Sequence, residues 1–316
     1  DQFAMIWKEA NKRFDEYGND KIIGTNGFYA MKAHWNEHPD RDEAWAEAEK
    51  SRIGEERFRR EHECEFLIFD ETLISSLVLA DMEGVPPIET TGQVRWFKRP
   101  TPGHTYMVSL DPSMGTGGDF AAIQVFELPT FEQIGEWHHN MTPMNQQVRI
   151  LQGINKHIHD TIMERDSSAT PQIFYSMENN TIGEAALMRV MDIGEENIMG
   201  MFLSEPIRKG HRRKFRRGFN TTAKHKIDAC TKFKELVEGG KMKINSQLLI
   251  SEMKDFVASG LSFKAKPGQH DDLVSSCLLM TRMMKVLADF DPKIFEKWTD
   301  RTSEITPMPI FGSFTG

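Results

Sequence analysis

The chain has 316 residues, 39% of them hydrophobic and 27% charged, and a formal net charge of −8 at pH 7. This length allows one large domain or two ordinary ones, and the lack of any apolar run of roughly 18 residues argues against a membrane helix. The three cysteines, Cys64, Cys230 and Cys277, have no C-x-x-C spacing, which argues against a zinc site or a disulfide framework and favours a reducing, cytoplasmic setting.

The N-terminal part of the chain is predicted to be mainly helical. Apolar residues at helical spacing indicate an amphipathic helix in residues 1–20 and a more charged helix in residues 40–60. No Gly-Lys-Ser/Thr phosphate loop occurs in the sequence, so a Walker A nucleotide site is not expected. The first residue is Asp rather than Met, which predicts a piece of a longer protein. Prolines cluster in residues 85–102 and place a domain boundary between about 72 and 102.

The stretch YMVSLDPSMGTGGDF, residues 106–120, is a candidate for a functional site. Its apolar first part predicts a strand that ends at or near Asp111, and the glycines that follow allow a tight reversal that would bring Asp119 back towards Asp111. Two carboxylates at the end of a buried strand repel each other unless a cation or a proton lies between them, so the pair favours a divalent metal. A solvated turn rich in aspartate and glycine is the alternative.

The elements after this stretch predict an α/β domain with a mixed sheet. Periodicity predicts strands in 121–126, 132–138, 172–177 and 197–203, and helices in 145–163, 182–191 and 224–238. Three successive strands make an antiparallel meander, and the later strands alternate with helices. Glu178 follows a predicted strand. In mixed α/β sheets, functional sites lie at the carboxyl ends of the central strands, so we expect Glu178 to lie beside Asp111.

One segment reverses the acidic balance of the chain. Residues 208–217 read RKGHRRKFRR, and two lysines follow soon after. Such a basic cluster with interleaved phenylalanines is typical of contacts to a nucleic-acid phosphate backbone, although a solvated loop would have the same composition. The predicted DNA-binding residues are Arg208, Lys209, Arg212, Arg213, Lys214, Arg216, Arg217, Lys224 and Lys226.

Two aspartates, Asp271 and Asp272, precede the last strongly apolar helix. One aspartate there would be explained as a helix cap, which also suits the helix dipole, but two in a row after His270 exceed what capping needs. With Asp111 and Glu178 they form an acidic set of the kind used in phosphodiester hydrolysis by two divalent ions about 4 Å apart. Carboxylate oxygens are the hard ligands that Mg²⁺ prefers. His270 is either an accessory group of this site or a plain hydrogen-bond partner.

Four motifs within residues 105–290 resemble a known family. SLDPSMGTGGDF, YSMENNTIGEA, GFNTTAKHK and GQHDDLVSS together resemble the nuclease half of the large terminase subunit of tailed, myovirus-type bacteriophages. Upstream, HWNEHPDRDEAW and FRREHECEFLIFDETLIS resemble the segment that joins the packaging ATPase domain to that nuclease. The resemblance implies an RNase H-like, resolvase-type α/β fold, with a mixed central sheet flanked by helices and a smaller, mainly helical N-terminal segment.

The resemblance also implies a division of the chain and roles for its acids. Residues 1–72 would be the C-terminal remnant of the packaging ATPase domain with its linker, 73–104 a connecting segment, 105–290 the nuclease domain and 291–316 a C-terminal tail. The catalytic residues would be Asp111, Glu178 and Asp272, and the metal ligands would be Asp111, Glu178, Asp272, Asp271 and Asp119.

The implied activity is that of an endonuclease in a phage DNA-packaging motor. It would use two Mg²⁺ or Mn²⁺ ions to cut concatemeric double-stranded DNA with little sequence preference, and ATP would act only through an ATPase domain whose motifs this sequence lacks. The implied partners are double-stranded DNA, the portal protein and the small terminase subunit. The assembly would be an oligomeric ring on the prohead in the host cytoplasm, with no membrane association.

Three other interpretations stay open on the sequence. A DDE-type transposase, integrase or junction resolvase uses the same acids on the same fold, but no recognisable site-specific DNA-binding module precedes Asp111. In a non-catalytic docking module of a packaging machine, the acids would merely cap turns, and metal titration would distinguish it from a nuclease. An actin-like or sugar-kinase phosphate site also begins with an aspartate and a glycine-rich turn, and ATP binding would support it.

Overall fold

The computed structural model describes residues 6–7, 9–12, 22–63, 72–206 and 217–290. The chain divides into two units, Asp1–Phe69 and Asp70–Gly316. No helix within the described ranges is both long enough and apolar enough to cross a lipid bilayer.

Two α-helices of the first unit are α1 (Glu43–Ile53) and α2 (Glu55–His62). α1 begins after Asp42, whose carboxylate accepts a hydrogen bond from the backbone N–H of Trp45 at 2.8 Å. It ends at Gly54, which has a φ of +85°. The single helix predicted over residues 40–60 is therefore wrong, because the left-handed conformation of this glycine separates two helices. Most of the helix predicted in residues 1–20 lies outside the described residues.

The second unit builds a seven-stranded mixed sheet within residues 72–206. Its strands are β1 (Glu89–Thr91), β2 (Val94–Trp96), β3 (Thr105–Asp111), β4 (Ala121–Leu128), β5 (Glu132–His139), β6 (Gln172–Met177) and β7 (Met201–Phe202). Their order across the sheet is β1-β2-β5-β4-β3-β6-β7. The pairs β1–β2, β2–β5, β5–β4 and β4–β3 are antiparallel, whereas the pairs β3–β6 and β6–β7 are parallel. The predicted mixed α/β sheet is confirmed.

Helices cover both faces of this sheet. The α-helices described in this unit are α3 (Ser76–Asp81), α4 (Met144–Arg165), α5 (Thr181–Ile193), α6 (Ala223–Glu238), α7 (Gln247–Asp255) and α8 (Asp272–Phe290), of which α4, α5 and α8 pack on the sheet. On one face, α4 and α5 share a buried apolar core with the strands, in which Val108 and Leu110 take part. On the other face, α8 packs on β3, and the hydroxyl groups of Ser109 and Ser276 lie 2.8 Å apart.

The alternation of side chains along a strand decides which acids meet α8. Val108 and Leu110 point to the face of α4, so Ser109 and Asp111 point to the face of α8. In β6, Tyr175 and Met177 belong to the same apolar core as Val108. The next residue along the chain, Glu178, continues the alternation towards the face of α8.

Some elements differ from the sequence predictions. The strand predicted in residues 197–203 is only Met201–Phe202, because a 3-10 turn occupies Glu195–Asn197. The hairpin of β1 and β2, the helix α7, and a second hairpin of β8 (Phe256–Ser259) and β9 (Ser262–Ala265) were not predicted. The strands of both hairpins are short, and those of the second hairpin are mostly half-buried, so their sequences carry little periodicity. The helix α7 buries Leu249, Ile250 and Met253 at helical spacing, a signal that the sequence prediction missed.

Candidate active site

Asp111 and Glu178 stand at the carboxyl ends of neighbouring parallel strands, β3 and β6. The backbone N–H of Glu178 donates to the carbonyl oxygen of Leu110 at 3.1 Å, which sets residue 178 beside residue 111. On its other side, Glu178 forms a parallel bridge with Phe219. The backbone of Glu178 is therefore held from both sides.

The pKa of Asp111 is affected by several neighbouring acids. Asp111 and Glu178 face each other at the ends of their strands, where two ionised carboxylates repel each other unless a proton or a cation lies between them. Burial, followed by the charges of Glu178, Asp272 and Asp271, raises the pKa of Asp111 well above its usual 3.8. The structure thus brings these four acids together at one edge of the sheet. We call Asp111, Glu178, Asp271 and Asp272 the acidic cluster.

Asp272 is the first residue of α8 and is fixed by a neighbouring loop. Its Oδ2 accepts a hydrogen bond from the backbone N–H of Phe120 at 3.3 Å and lies 3.6 Å from Nδ1 of His270. Burial, followed by the charges of Asp271 and Asp119, raises the pKa of Asp272 to about 6. Asp119 is exposed and lies on the rim of the acidic cluster.

Asp271 turns away from its own helix towards a different part of the fold. Its Oδ2 accepts a hydrogen bond from the backbone N–H of Ala265 in β9 at 3.3 Å. The same oxygen lies 3.8 Å from Nζ of Lys226, which is also 5.5 Å from the ring centre of Phe256. Lys226 therefore offsets part of the negative charge of the acidic cluster.

The glycine-rich loop after β3 is packed against the end of β5. Gly115 has a φ of +68°, and a Cβ on it would lie 2.1 Å from the carbonyl oxygen of Thr142. Only glycine fits this position without a shift of the backbone. Gly117 donates its N–H to the carbonyl oxygen of Asn140 at 2.9 Å. The loop that leads to Asp119 and Phe120 is thereby anchored.

A further acid, Glu252 of α7, was not predicted from the sequence. Its Oε2 accepts hydrogen bonds from the backbone N–H groups of Leu273 at 2.8 Å and Val274 at 3.1 Å. Burial raises the pKa of Glu252 to about 9, and the nearby charges of Asp272 and Asp271 act in the same direction. Nothing in the sequence distinguishes this glutamate from other acids on amphipathic helices.

A cavity of about 320 Å³ opens beside Asp272. Part of its wall is aromatic, with Phe120 stacked on His138 at 4.1 Å between ring centres and meeting His270 edge-on at 4.8 Å. Burial lowers the pKa of His138 to about 4, so its imidazole is neutral near pH 7. The full lining is Phe120, His138, Leu248, Ser251, Glu252, Asp255, Gln269 and His270.

The donor chemistry of the acidic cluster suits a hard divalent cation. Carboxylate oxygens are the preferred ligands of Mg²⁺. The raised pKa of Asp111 and of Asp272 reflects burial first and then repulsion from the neighbouring acids, which a cation would relieve. In the part of the chain that the structure describes, no three His, Cys, Asp or Glu side chains already converge at metal-ligating distances.

Most of the basic segment lies outside the described residues, including Arg208, Lys209, Arg212, Arg213, Lys214 and Arg216. Arg217 is described and pairs with Glu195, with its guanidinium 5.3 Å from the ring centre of Phe202. Lys224 is exposed near the start of α6. Among the described residues Arg217, Lys224 and Lys226, it is Lys226 that lies close to an acid of the acidic cluster, Asp271.

A mixed sheet of this strand order, with helices on both faces, defines an RNase H-like domain. The chain belongs to the family of terminase RNase H-like domains, whose model matches residues 108–283. The family resemblance of the four sequence motifs is confirmed.

Solved structures similar to this chain include nuclease domains of phage terminases and of the human cytomegalovirus terminase. The large terminase nuclease from thermophilic phage G20c with bound magnesium has a TM-score of 0.50 and 17% identity, and the match covers 68% of this chain and 97% of that one. The nuclease domain of Thermus phage P74-26 large terminase has a TM-score of 0.46 and 17% identity, over 64% and 90% of the two chains. The human cytomegalovirus terminase nuclease domain, soaked with manganese and inhibitor-bound, has a TM-score of 0.43 and 13% identity, over 71% and 98%.

Proposed function

We propose that this chain is the endonuclease of a phage DNA-packaging motor, which cuts concatemeric double-stranded DNA by metal-dependent hydrolysis with little sequence preference. The observation that carries the proposal is the meeting of Asp111, Glu178, Asp271 and Asp272 at one edge of the sheet in a chain of the terminase family. The G20c nuclease has this fold and was solved with bound magnesium, which supports a divalent ion as the cofactor.

Asp111, Glu178 and Asp272 are the proposed catalytic acids and would hold Mg²⁺ or Mn²⁺, with Asp271 and Asp119 completing the ligands of a second ion. A pair of such ions, when bound, activates the attacking water and stabilises the leaving 3′ oxygen. The protein's contribution is to aim these carboxylates. The backbone bonds on both sides of Glu178 and the Phe120 N–H bond to Asp272 fix two of them before DNA arrives.

Two side chains at the rim have supporting roles in this proposal. Lys226, close to Asp271, would meet a phosphate oxygen of the DNA and lower the repulsion between the backbone and the acidic cluster. His270, half-exposed and 3.6 Å from Asp272, would orient that carboxylate or the phosphate. Both act on binding and orientation rather than as a covalent nucleophile, which two-metal hydrolysis does not require.

DNA binding is assigned to the basic segment and to the start of α6, the helix that follows it. Arg208, Lys209, Arg212, Arg213, Lys214, Arg216, Arg217, Lys224 and Lys226 are the proposed phosphate contacts. Contacts to phosphates position a duplex without reading its bases, so the expected cutting has little sequence preference. Arg217 would exchange its ion pair with Glu195 for a phosphate.

The wider setting follows from the terminase family. The proposed partners are the portal protein and the small terminase subunit, with the chain acting in an oligomeric ring on the prohead in the host cytoplasm. ATP would enter only through a packaging ATPase domain.

The proposal is tested by incubating the chain with supercoiled plasmid and Mg²⁺ or Mn²⁺, with an EDTA control. Asp111→Asn, Glu178→Gln and Asp272→Asn should each lower cutting by about a hundredfold or more, the order expected when a preorganised electrostatic group is removed. Each should keep the fold, because the acids repel one another without a cation. Asp192→Asn, an exposed acid on α5, makes the same change of net charge and should cut normally.

Two outcomes would contradict the proposal. Full activity of Asp111→Asn or Glu178→Gln would remove the acidic cluster from the reaction. The absence of cutting with every divalent ion tried would instead favour a non-catalytic docking module of the packaging machine.

A further inference from the structure

The start of α8 is capped in an unusual way. The first N–H groups of an α-helix have no partner within the helix and normally bind the side chain of the residue just before it. Here that residue is Asp271, whose carbonyl oxygen accepts the first helical bond from the N–H of Ser275 at 2.7 Å. Its carboxylate, however, accepts from Ala265. The side chain in the capping position therefore leaves its own helix uncapped.

Glu252 of α7 supplies the missing cap from another helix. Its Oε2 accepts the N–H groups of Leu273 and Val274, the second and third residues of α8, at 2.8 and 3.1 Å. These are the two donors that an N-cap side chain ordinarily binds. The glutamate side chain is only 11% exposed, so water competes little for these donors.

The second oxygen of Glu252 closes a ring of contacts around Asp272. Oε1 lies 3.6 Å from Nε2 of His138, and His138 stacks on Phe120. The N–H of Phe120 in turn donates to Asp272 at 3.3 Å. Asp272 is thus held on one side by the start of α8 and on the other by Phe120. Glu252 contacts the start of α8 directly, through Leu273 and Val274, and reaches Phe120 through His138.

We propose that Glu252 is a positioning residue that caps α8 in place of Asp271 and thereby leaves Asp271 and Asp272 free to face the metal ions. This inference rests on the proposed nuclease function. Without the cap from α7, the N–H groups of Leu273 and Val274 would compete for the carboxylate of Asp271, which stands where a capping side chain normally stands. Asp271 would then turn away from the acidic cluster.

The test compares Mn²⁺ binding, measured by calorimetry or by electron paramagnetic resonance, in variants at this position. Glu252→Ala removes the acceptor and should weaken Mn²⁺ binding by about tenfold or more, the range for residues that orient metal ligands. Glu252→Gln keeps an acceptor oxygen and should bind Mn²⁺ as the wild type does. Glu252→Met fills the same space without an acceptor, so it should reproduce the loss and replaces Glu252→Ala if that variant fails to fold.

A matched control separates positioning from loss of a helix cap in general. Thr222→Ala removes the cap of α6, where Thr222 Oγ1 accepts from the N–H of His225 at 3.2 Å, and should bind Mn²⁺ normally. Amide exchange provides a second readout, because the N–H groups of Leu273 and Val274 should lose protection in Glu252→Ala and keep it in Glu252→Gln.

The outcomes distinguish this inference from the function on which it rests. If the wild type binds Mn²⁺ and Glu252→Ala and Glu252→Met bind it equally well, the positioning role is wrong and the nuclease proposal stands. If the wild type binds no Mn²⁺, the nuclease proposal and the positioning role both fail.

Discussion

The guanidinium carbon of Arg282 lies 5.2 Å from the ring centre of Phe219. Arg282 also pairs with Glu205, and its Nη2 donates to the carbonyl oxygen of Asn220 at 3.0 Å. Glu205 and Asn220 flank the basic segment on either side, and Phe219 forms the backbone bridge to Glu178. One arginine of α8 therefore contacts the residues that precede and follow the basic segment, Glu205 and Asn220.

Replacing Arg282 by lysine should destabilise the second unit. The arginine is 12% exposed and donates to several groups at once, whereas lysine presents a single ammonium that cannot reproduce this fork. The expected loss in the free energy of unfolding is about 1–3 kcal/mol, measured by urea denaturation. Arg189→Lys, at an exposed pair with Asp192, should change stability by less than about 0.5 kcal/mol. Equal effects of the two substitutions would argue against a stabilising role for the contacts of Arg282.

Gly115→Ala and Gly118→Ala form a matched pair within one loop. Gly115 combines a φ of +68° with a Cβ position 2.1 Å from the carbonyl oxygen of Thr142, whereas a Cβ on Gly118 would meet nothing within 4 Å. We expect Gly115→Ala to cost about 1–3 kcal/mol of stability and to lower metal-dependent cutting. Gly118→Ala should be close to neutral in thermal unfolding and plasmid cutting. Similar behaviour of both variants would contradict the packing described for this loop.

The stability of the metal-free chain should fall as pH rises, in part because of Glu252. Its pKa is about 9 in the folded chain against a usual 4.5, so between these values the folded state holds a proton that the unfolded state has released. The unfolded state then binds fewer protons, and unfolding becomes easier as pH increases. Below pH 4.5 both states are protonated and this effect vanishes.

Glu252→Gln should remove this contribution. Between pH 5 and 8, with EDTA present, its free energy of unfolding should fall less steeply than that of the wild type, by up to about 1.4 kcal/mol per pH unit. Urea denaturation at several pH values measures the two slopes. Parallel curves for the two proteins would show that Glu252 does not titrate in this window.

Neutralising Arg212, Arg213, Arg216 and Arg217 together with glutamine should weaken DNA binding. The logarithm of the association constant should also become less sensitive to the logarithm of salt concentration, by about 0.9 in slope for each lost phosphate contact. Fluorescence anisotropy with a short duplex at several salt concentrations measures both effects.

The control for this variant removes four charges elsewhere. Replacing the exposed residues Lys156, Arg189, Lys232 and Lys285 by glutamine makes the same change of net charge on the outer surfaces of helices. It should leave the salt dependence close to that of the wild type. A common response of both variants would mean that net charge, rather than the basic segment, governs binding.

The sequence was sufficient to predict the five strands β3 to β7 of the sheet and the meeting of Asp111 with Glu178. Both acids follow apolar runs that pair as parallel strands, and the ends of such strands lie side by side. The two aspartates before α8 could be predicted as candidates because they exceed what a helix cap needs. Asp119 was expected to return towards Asp111, and the structure places it where it acts on Asp272.

The role of Glu252 could not be predicted from the sequence. Its partners, Leu273 and Val274, belong to a different helix, and the contact exists only after α7 and α8 have packed. Periodicity describes the face that a helix buries, but it does not say which polar side chain on that helix will reach a neighbouring backbone. The end of α1 at Gly54 could not be predicted either, because a glycine in a helical pattern can lie within a helix or terminate it.

The bond between Ser109 and Ser276 joins residues that are 167 positions apart in the chain. Chains dominated by such distant contacts fold slowly, since the entropy of closing a long loop must be lost before the contact forms. The acids at the end of β3 and at the start of α8 are separated by nearly the same span. The proposed cutting activity should therefore appear only after α8 has been synthesised and has packed on β3.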